Sequence, residues 1–390
     1  MKIRAVTAFV QFDRNRAHLA EQFGDALATL QKAKNVFTSA GYEVQTIRIT
    51  PQAFGVLTHG LSRNEILAFY SELADLAKKA GIPSAIGPAF LHAEDVDTKT
   101  VDIYAEVLAA HPELNGCLIV ADENGVNWPA VHAAARVMKY LEEHTAHSQG
   151  NFQFAAAAEV ADYFPFYPAS YFVTPGKQFA VAIEGADIAN EAFSHAKGDL
   201  ETARKEFAKS LAEQTAAIGA LGAQAKADTK WEFLGIDTST APLGNVSIAA
   251  AFESLLGGAP FGSAGTLSIA SMITDVLHAQ PRSAGSGYSG LMLPVLEDSR
   301  LAQRWGEGRL GIDQLLQYSA VCGTGLDTIP LPGDVSEDQL ARIVGDVATL
   351  AAKLNKPLTA RLLPIAGKKA GDKTELDSPF LQNTTLQPLR

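Results

Sequence analysis

Cysteine is nearly absent from this chain of 390 residues, with only Cys117 and Cys322. Two thiols so far apart cannot build a disulfide framework or a four-thiolate zinc site, and a reducing compartment is the simpler reading. Charge is also sparse, at 19% of residues, and its basic half is the smaller: 32 Lys and Arg against 43 Asp and Glu give a formal net charge of -11. A nucleic-acid binder needs a basic face to meet phosphate, so that class is not expected. No apolar run approaches the roughly 20 residues that span a bilayer. The opening MKIRAVTAFVQFD is stopped by Asp13 before it could serve as a secretory core, and its alternation reads as a strand. These absences together predict a cytoplasmic protein.

Apolar residues are plentiful, at 47%, enough for a large core. Strand-like and helix-like segments alternate almost throughout, the pattern of strands joined by helical crossovers. Strands are expected at 3–12, 42–49, 84–87, 117–121, 154–160, 179–184, 233–237, 290–296 and 359–364, with a weaker one near Ala320, about ten in all. Helices are expected at 17–40, from the Ser62-Arg63-Asn64-Glu65 capping box to Gly81, and at 98–110, 188–221 (split near Gly198), 247–256, 266–277 and 337–354. No linker or composition shift divides the chain, which predicts one α/β domain over residues 1–390. From Ala366 onward the sequence loses all period and reads as a tail over the domain, with Phe380 and Leu381 as its anchors.

Several familiar patterns fail when their context is read. Gly367–Thr374 (GKKAGDKT) looks like a nucleotide P-loop, but Asp372 stands between the second Gly and its Lys and no helix follows. Gly285-Ser286-Gly287-Tyr288-Ser289-Gly290 matches a dinucleotide loop, yet it runs into an expected strand rather than a helix. Neither NAD nor a P-loop nucleotide is therefore expected. His144 and His147 lack the Glu of the zinc-protease pattern and read as a solvated pair.

What remains is a set of polar residues at expected strand ends. Glu159, Glu184, Asp237 and the pair Glu297-Asp298 each close a strand, where α/β sheets line a ligand crevice. Asp187 and Asp298 also suit helix capping, and that reading is preferred for both. Glu159 and Asp237 are candidates for acid–base catalysis, and Glu159, Asp237 and Glu297 for binding Mg²⁺ or Ca²⁺ through oxygen. Cys322, in the flexible Cys322-Gly323-Thr324-Gly325-Leu326-Asp327 stretch, is the candidate nucleophile; Cys117 reads as core. Substrate contacts are expected from Glu184, Asp327, the Ser263–Gly265 helix start and the Lys368-Lys369 loop, the last two suited to an anion.

These same residues carry a family resemblance. Ala158-Glu159-Val160, Phe166-Tyr167-Pro168-Ala169, Gly235-Ile236-Asp237, Pro260–Ser263, GLMLPVLED at 290–298, SAVCGTGLDTIPLPGD at 319–334 and RLLPIAGKK at 361–369 resemble a widespread microbial family long filed as a domain of unknown function. The resemblance covers nearly the whole chain. It implies a ten-stranded α/β barrel similar to that of pyruvate formate-lyase and other glycyl radical enzymes. The radical chemistry is not expected to follow: Arg342-Ile343-Val344-Gly345-Asp346 lacks the aromatic of the radical loop and falls within a strong helical period. The leading functional expectation is a non-radical hydrolase or lyase acting on a small metabolite bearing a carboxylate or an amine. The alternative is a regulatory protein that binds such a metabolite without turnover. A domain of this size is also compatible with self-association as a homo-oligomer.

Overall fold

A computed structural model describes residues 2–173, 176–280, 287–321 and 323–389. The candidate nucleophile Cys322 and the first two residues of the Gly285–Gly290 motif lie outside the described residues. The first half of the chain alternates as expected: strand β1 (Lys2–Phe9), helix α1 (Leu19–Ser39), β2 (Glu43–Thr50), a short α2 (Phe54–Thr58), α3 (Arg63–Ala80), β3 (Ser84–Pro88), α4 (Thr98–Ala110), β4 (Leu114–Asp122), a two-residue β5 (Gly125–Val126), α5 (Trp128–His144) and β6 (Phe154–Ala158). The second half runs β7 (Gln178–Ile183), α6 (Ala186–Ala196), α7 (Leu200–Thr229), β8 (Glu232–Asp237), α8 (Ile248–Leu255), α9 (Thr266–His278), α10 (Ser299–Gly306), α11 (Ile312–Val321), β9 (Gly325–Pro332), α12 (Glu337–Leu354) and β10 (Leu358–Ile365).

All ten strands join one mixed sheet in the order β8-β7-β1-β2-β3-β4-β6-β10-β9, with β5 hairpinned onto β4. Most neighbours are parallel, while β1–β7 and β6–β10 are antiparallel. β3, β6, β9 and β10 are buried at every position. Strands covered on both faces do not alternate, and the charged residues that β9 and β10 carry, Asp327 and Arg361, pair with each other inside the fold. The helices start where the sequence supplies a cap. Ser62 and Glu65 form the expected capping box on α3, and a second box, Ser336 with Gln339, opens α12. α6 and α7 separate around Gly198, whose φ of 90° suits only a residue without a side chain.

Three expectations about elements are corrected. The stretch near Ala320 lies in α11, not in a strand. Residues 290–296 form no continuous strand; they make single bridges, Leu291 with Thr240 and Pro294 with Asp327. Asp327 belongs not to a flexible stretch but to β9, which the sequence disguises with Pro330 and Pro332. Proline cannot donate to a ladder, and β9 tolerates two because it lies at the end of the sheet order with β10 as its partner strand.

The sheet is not closed into a ring by a continuous ladder. Residues 290–298 lie between its two outermost strands: Leu291 and Asp298 bridge to the segment after β8, and Pro294 to β9. The tail does pack on the fold. Leu376, Leu381 and Leu386 are buried against Leu296, Leu363 and Ile365. Leu381 is thus an anchor, whereas Phe380 is 47% exposed and stacks on Phe152, 6.5 Å between rings.

Candidate functional site

One face of the sheet borders a cavity of about 1140 Å³. Its wall takes alternate residues from several strands, as a period of two requires: Lys2 and Arg4 from β1, Thr46 and Arg48 from β2, Ala182 from β7 and Arg361 from β10. Asp237, Ser239, Met292 and Glu297 come from the segments after β8 and around the bridges, and Phe166 and Tyr167 from the aromatic loop after β6. Ligand sites typically measure 300–1,000 Å³, so this space is large for a small metabolite alone.

Charge inside the cavity is organised around Arg361. Its guanidinium is 4% exposed and bridges two acids, with Nε donating to Asp327 Oδ1 at 2.6 Å and Nη2 donating to Glu297 Oε1. Glu297 also accepts from Arg4 Nη2 at 2.9 Å. The two arginines outweigh burial and hold the Glu297 pKa below the usual carboxylate range. Asp327 goes the other way: burial pushes it up, Arg361 resists, and the charge on Glu297 pushes it up again. Arg361 stacks over Phe152 at 4.9 Å and near Phe166 at 5.8 Å.

Arg48 differs from these. Among the described residues no carboxylate lies within ion-pair distance of it. Its Nε donates to Thr46 Oγ1 at 3.0 Å, and its guanidinium sits 4.9 Å over the Tyr167 ring. Burial, seconded by the charge on Arg4, draws its pKa down to about 10. Tyr167 is held by an unusual join. β2 and β3 share a single registered pair, Ile49 with Ser84. The Tyr167 hydroxyl fills the gap in that ladder, donating to Ile49 O at 2.5 Å and accepting from Ala85 N at 3.0 Å. The ring that carries Arg48 is therefore pinned by backbone.

Asp237 ends β8 and is 2% exposed. Its Oδ1 accepts from Ser239 N (2.9 Å), Ser239 Oγ (2.5 Å) and Ser289 N (3.1 Å). Burial still outweighs these bonds and raises its pKa. Gly287, at φ 81°, approaches so closely that a Cβ there would overlap Asp237 Oδ2. A carboxyl whose folded pKa is raised stabilises the fold below its unfolded pKa of about 3.9 and loses that contribution as pH rises through the folded value. Asp237→Asn should therefore gain on the wild type as pH rises from 5 to 8. Urea midpoints at the two pH values measure this; a difference moving the opposite way would contradict the raised pKa.

The other expected site residues disperse. Glu159 lines a separate cavity of about 350 Å³ with Thr238, Phe164 and Tyr288, and holds a strained φ of 55°. Burial, then Asp122 and Glu123, raise its pKa. The residues after β8 alternate between the two spaces, Asp237 and Ser239 facing the larger and Thr238 the smaller. The proposed metal set of Glu159, Asp237 and Glu297 is thus divided, and among the described residues no three His, Cys, Asp or Glu side chains group to hold an ion. Glu184 is buried and accepts from Gln45 Nε2 at 2.8 Å. Ser263 and Gly265 open α9 away from both cavities, where Ser263 O accepts from Thr266 Oγ1. Lys368 pairs with Glu375 at 2.9 Å, Lys369 N donates to Asp372 Oδ2, and neither lysine lines either of these two cavities.

Of the two acids assigned to capping, Asp298 caps two helices at once. Asp187 instead lies in the first turn of α6, whose N-cap is Gly185. Sequence reasoning overlooked Arg4, Arg48, Arg361 and Tyr167. The available signal was a single arginine inside each of three expected strands, a placement that burial makes costly unless something compensates it.

The described fold is a mixed α/β architecture, and no helix among the described residues is long and apolar enough to cross a membrane. The chain belongs to the family described as "Uncharacterised ACR (DUF711)", whose model matches residues 1–377. It is 29% identical to a UPF0210 protein of Pyrobaculum islandicum, covering 96% of this chain and 88% of that one. A UPF0210 protein of Pyrobaculum aerophilum is 31% identical over 88% of this chain and 78% of its own. Another, from Syntrophobacter fumaroxidans, is 27% identical over 85% and 77%.

Proposed function

We propose that the large cavity binds a metabolite through an anionic group seated on Arg48, and that the protein is a non-radical hydrolase or lyase using Asp237 as its proton carrier. The observation that carries this reading is Arg48 itself. A guanidinium facing a cavity with no carboxylate of its own among the described residues is electrostatically incomplete, and an anion completes it. Asp237 supports the catalytic part, because it lines the same space and burial raises its pKa, so it holds a proton more readily than a free carboxyl. The alternative, binding without turnover, draws support from the three donors on Asp237 Oδ1, which hold the carboxylate as a structural group would be held.

The same reading includes a sheet curled into the ten-stranded barrel of the glycyl radical type, with residues 290–298 as the strap between its ends. The bridges at Leu291 and Pro294, and a cavity walled by β1, β2, β7 and β10 at once, support it. The non-radical assignment is supported by Gly345, which lies inside α12 beneath the Trp128 ring. A homo-oligomer is retained as part of the proposal and is read by native mass spectrometry.

The test is thermal stabilisation by millimolar acetate, butanoate and inorganic phosphate in the wild type and in Arg48→Met. The wild type should be stabilised by at least one of them. The variant should bind it at least tenfold more weakly, as expected for loss of charge-assisted hydrogen bonds worth roughly 1.5–3 kcal/mol. Equal stabilisation of both proteins would remove Arg48 from the site. Turnover of a bound metabolite that is lost in Asp237→Asn, with binding kept, separates the enzyme from the binding protein.

A further inference from the structure

Beyond the anion subsite, the cavity wall is mostly apolar and aromatic. Phe166 and Met292 are each buried and line the interior. Phe166 lies 5.8 Å from the Arg361 guanidinium, which sits 4.9 Å over the Phe152 ring, and Phe152 stacks on Phe380. Leu243 and Ala241 continue the wall on the side of the β8 segment. These rings run from the interior to the rim, where Phe380 is 47% exposed beside the exposed Glu43, Lys78 and Asp377. A space of about 1140 Å³ is several times what a two- or three-carbon acid would fill. A water-filled apolar wall of that extent is costly to leave unmatched, and an apolar ligand body would displace that water favourably.

We infer that the ligand is a monocarboxylate on an extended apolar body, a medium-chain or arylalkyl acid, with its carboxylate on Arg48 and its body along Phe166, Met292 and Phe152. This inference rests on the anion-binding reading of Arg48. The cation–π stack of Arg361 on Phe152 and Phe166 has a part in it, because a guanidinium already neutralised by Glu297 and Asp327 presents an aromatic surface without competing for the carboxylate. The wall carries Arg4, Arg48 and Arg361, and of its two buried acids Glu297 is paired with Arg4 and Arg361 while Asp237 is held by Ser239 and Ser289, so a cationic head on the same body is disfavoured.

The experiment is a calorimetric titration of the intact protein with acetate, butanoate, hexanoate, octanoate and 3-phenylpropanoate, with octylamine as the charge-reversed probe. Burying a methylene is worth roughly a fourfold gain in affinity. Octanoate should therefore bind at least tenfold tighter than butanoate, with 3-phenylpropanoate close to octanoate and octylamine at least tenfold weaker. Phe166→Ala should weaken octanoate several-fold and leave butanoate unchanged; if that variant does not fold, the wild-type series decides alone. Arg48-dependent binding of acetate and butanoate with no gain along the series overturns this inference and leaves the anion site standing. Binding of octylamine as tight as octanoate also overturns it. If no carboxylate binds at any length, the anion reading of Arg48 falls with it.

Discussion

Arg361→Met is expected to destabilise the protein by about 3–5 kcal/mol at pH 8, lowering its melting temperature by about 4–6 °C. Methionine preserves most of the side-chain volume, so the loss is electrostatic. The change removes the cation shared by Glu297 and Asp327, whose side chains are 3% and 1% exposed. Glu297 keeps Arg4 at 2.9 Å, but no other cation bonds Asp327 among the described residues. A buried carboxylate without a partner neutralises by binding a proton, so its pKa rises further above the ordinary value. The sign follows from that rise. Such a group stabilises the fold below its unfolded pKa, and the contribution disappears as pH climbs through the folded value. The variant should thus lie furthest below the wild type at pH 8 and recover part of the gap at pH 5.5. Denaturant midpoints at both pH values read the effect, and a gap that widens in acid would refute the charge account.

Asp298→Ala carries the second largest expected effect, about 3–4 kcal/mol. Its carboxylate has no exposure and accepts five hydrogen bonds. Oδ1 takes Ser247 Oγ (2.5 Å), Arg300 N (2.9 Å) and Leu301 N (3.1 Å), while Oδ2 takes Ile248 N (2.8 Å) and Ala249 N (3.3 Å). One side chain thereby caps the starts of α8 and α10 together, where a single cap contributes roughly 0.5–2 kcal/mol. Alanine leaves the amides of both helix starts buried and unpaired, a penalty of about 1–3 kcal/mol each where water cannot enter. Asp298→Asn keeps one acceptor oxygen and should recover part of the loss. Because Glu297 precedes it and Glu297 O accepts from Gly244 N at 2.7 Å, hydrogen exchange should quicken at 242–249 and 297–303 together. Quickening at only one helix would show that the two caps are not joined.

The alternation of strands and helices was legible in the sequence because burial leaves a periodic trace. α12 spans 337–354 as its period predicts, and the split of the long helix at Gly198 follows from one glycine. β9 was not legible, because Pro330 and Pro332 break the usual rule and only its terminal place in the sheet order makes them tolerable. Nor was the fate of residues 290–296, whose apolar run matches a strand while their bonds are single bridges to both sides. Among the candidate acids, Asp237 and Glu297 line one cavity, and Asp298 is a cap as expected. Glu159 ended in a different space. Side chains two strands apart share a wall or not according to sheet curvature, which no local pattern records.

Composition and periodicity by themselves determined an acidic, thiol-poor α/β chain, its main helices and caps, and the polar strand ends near which a site could form. These are local properties, set within a few residues by dihedral preference, capping and the burial period. The tertiary structure alone decided which charges meet. Arg4, Arg361, Glu297 and Asp327 come from distant parts of the sequence and neutralise one another, whereas Arg48 is left facing the cavity on the Tyr167 ring. Whether a buried arginine is neutralised within the fold depends on whether a carboxylate lies within about 4 Å, and that distance is set by how the strands order themselves in the sheet.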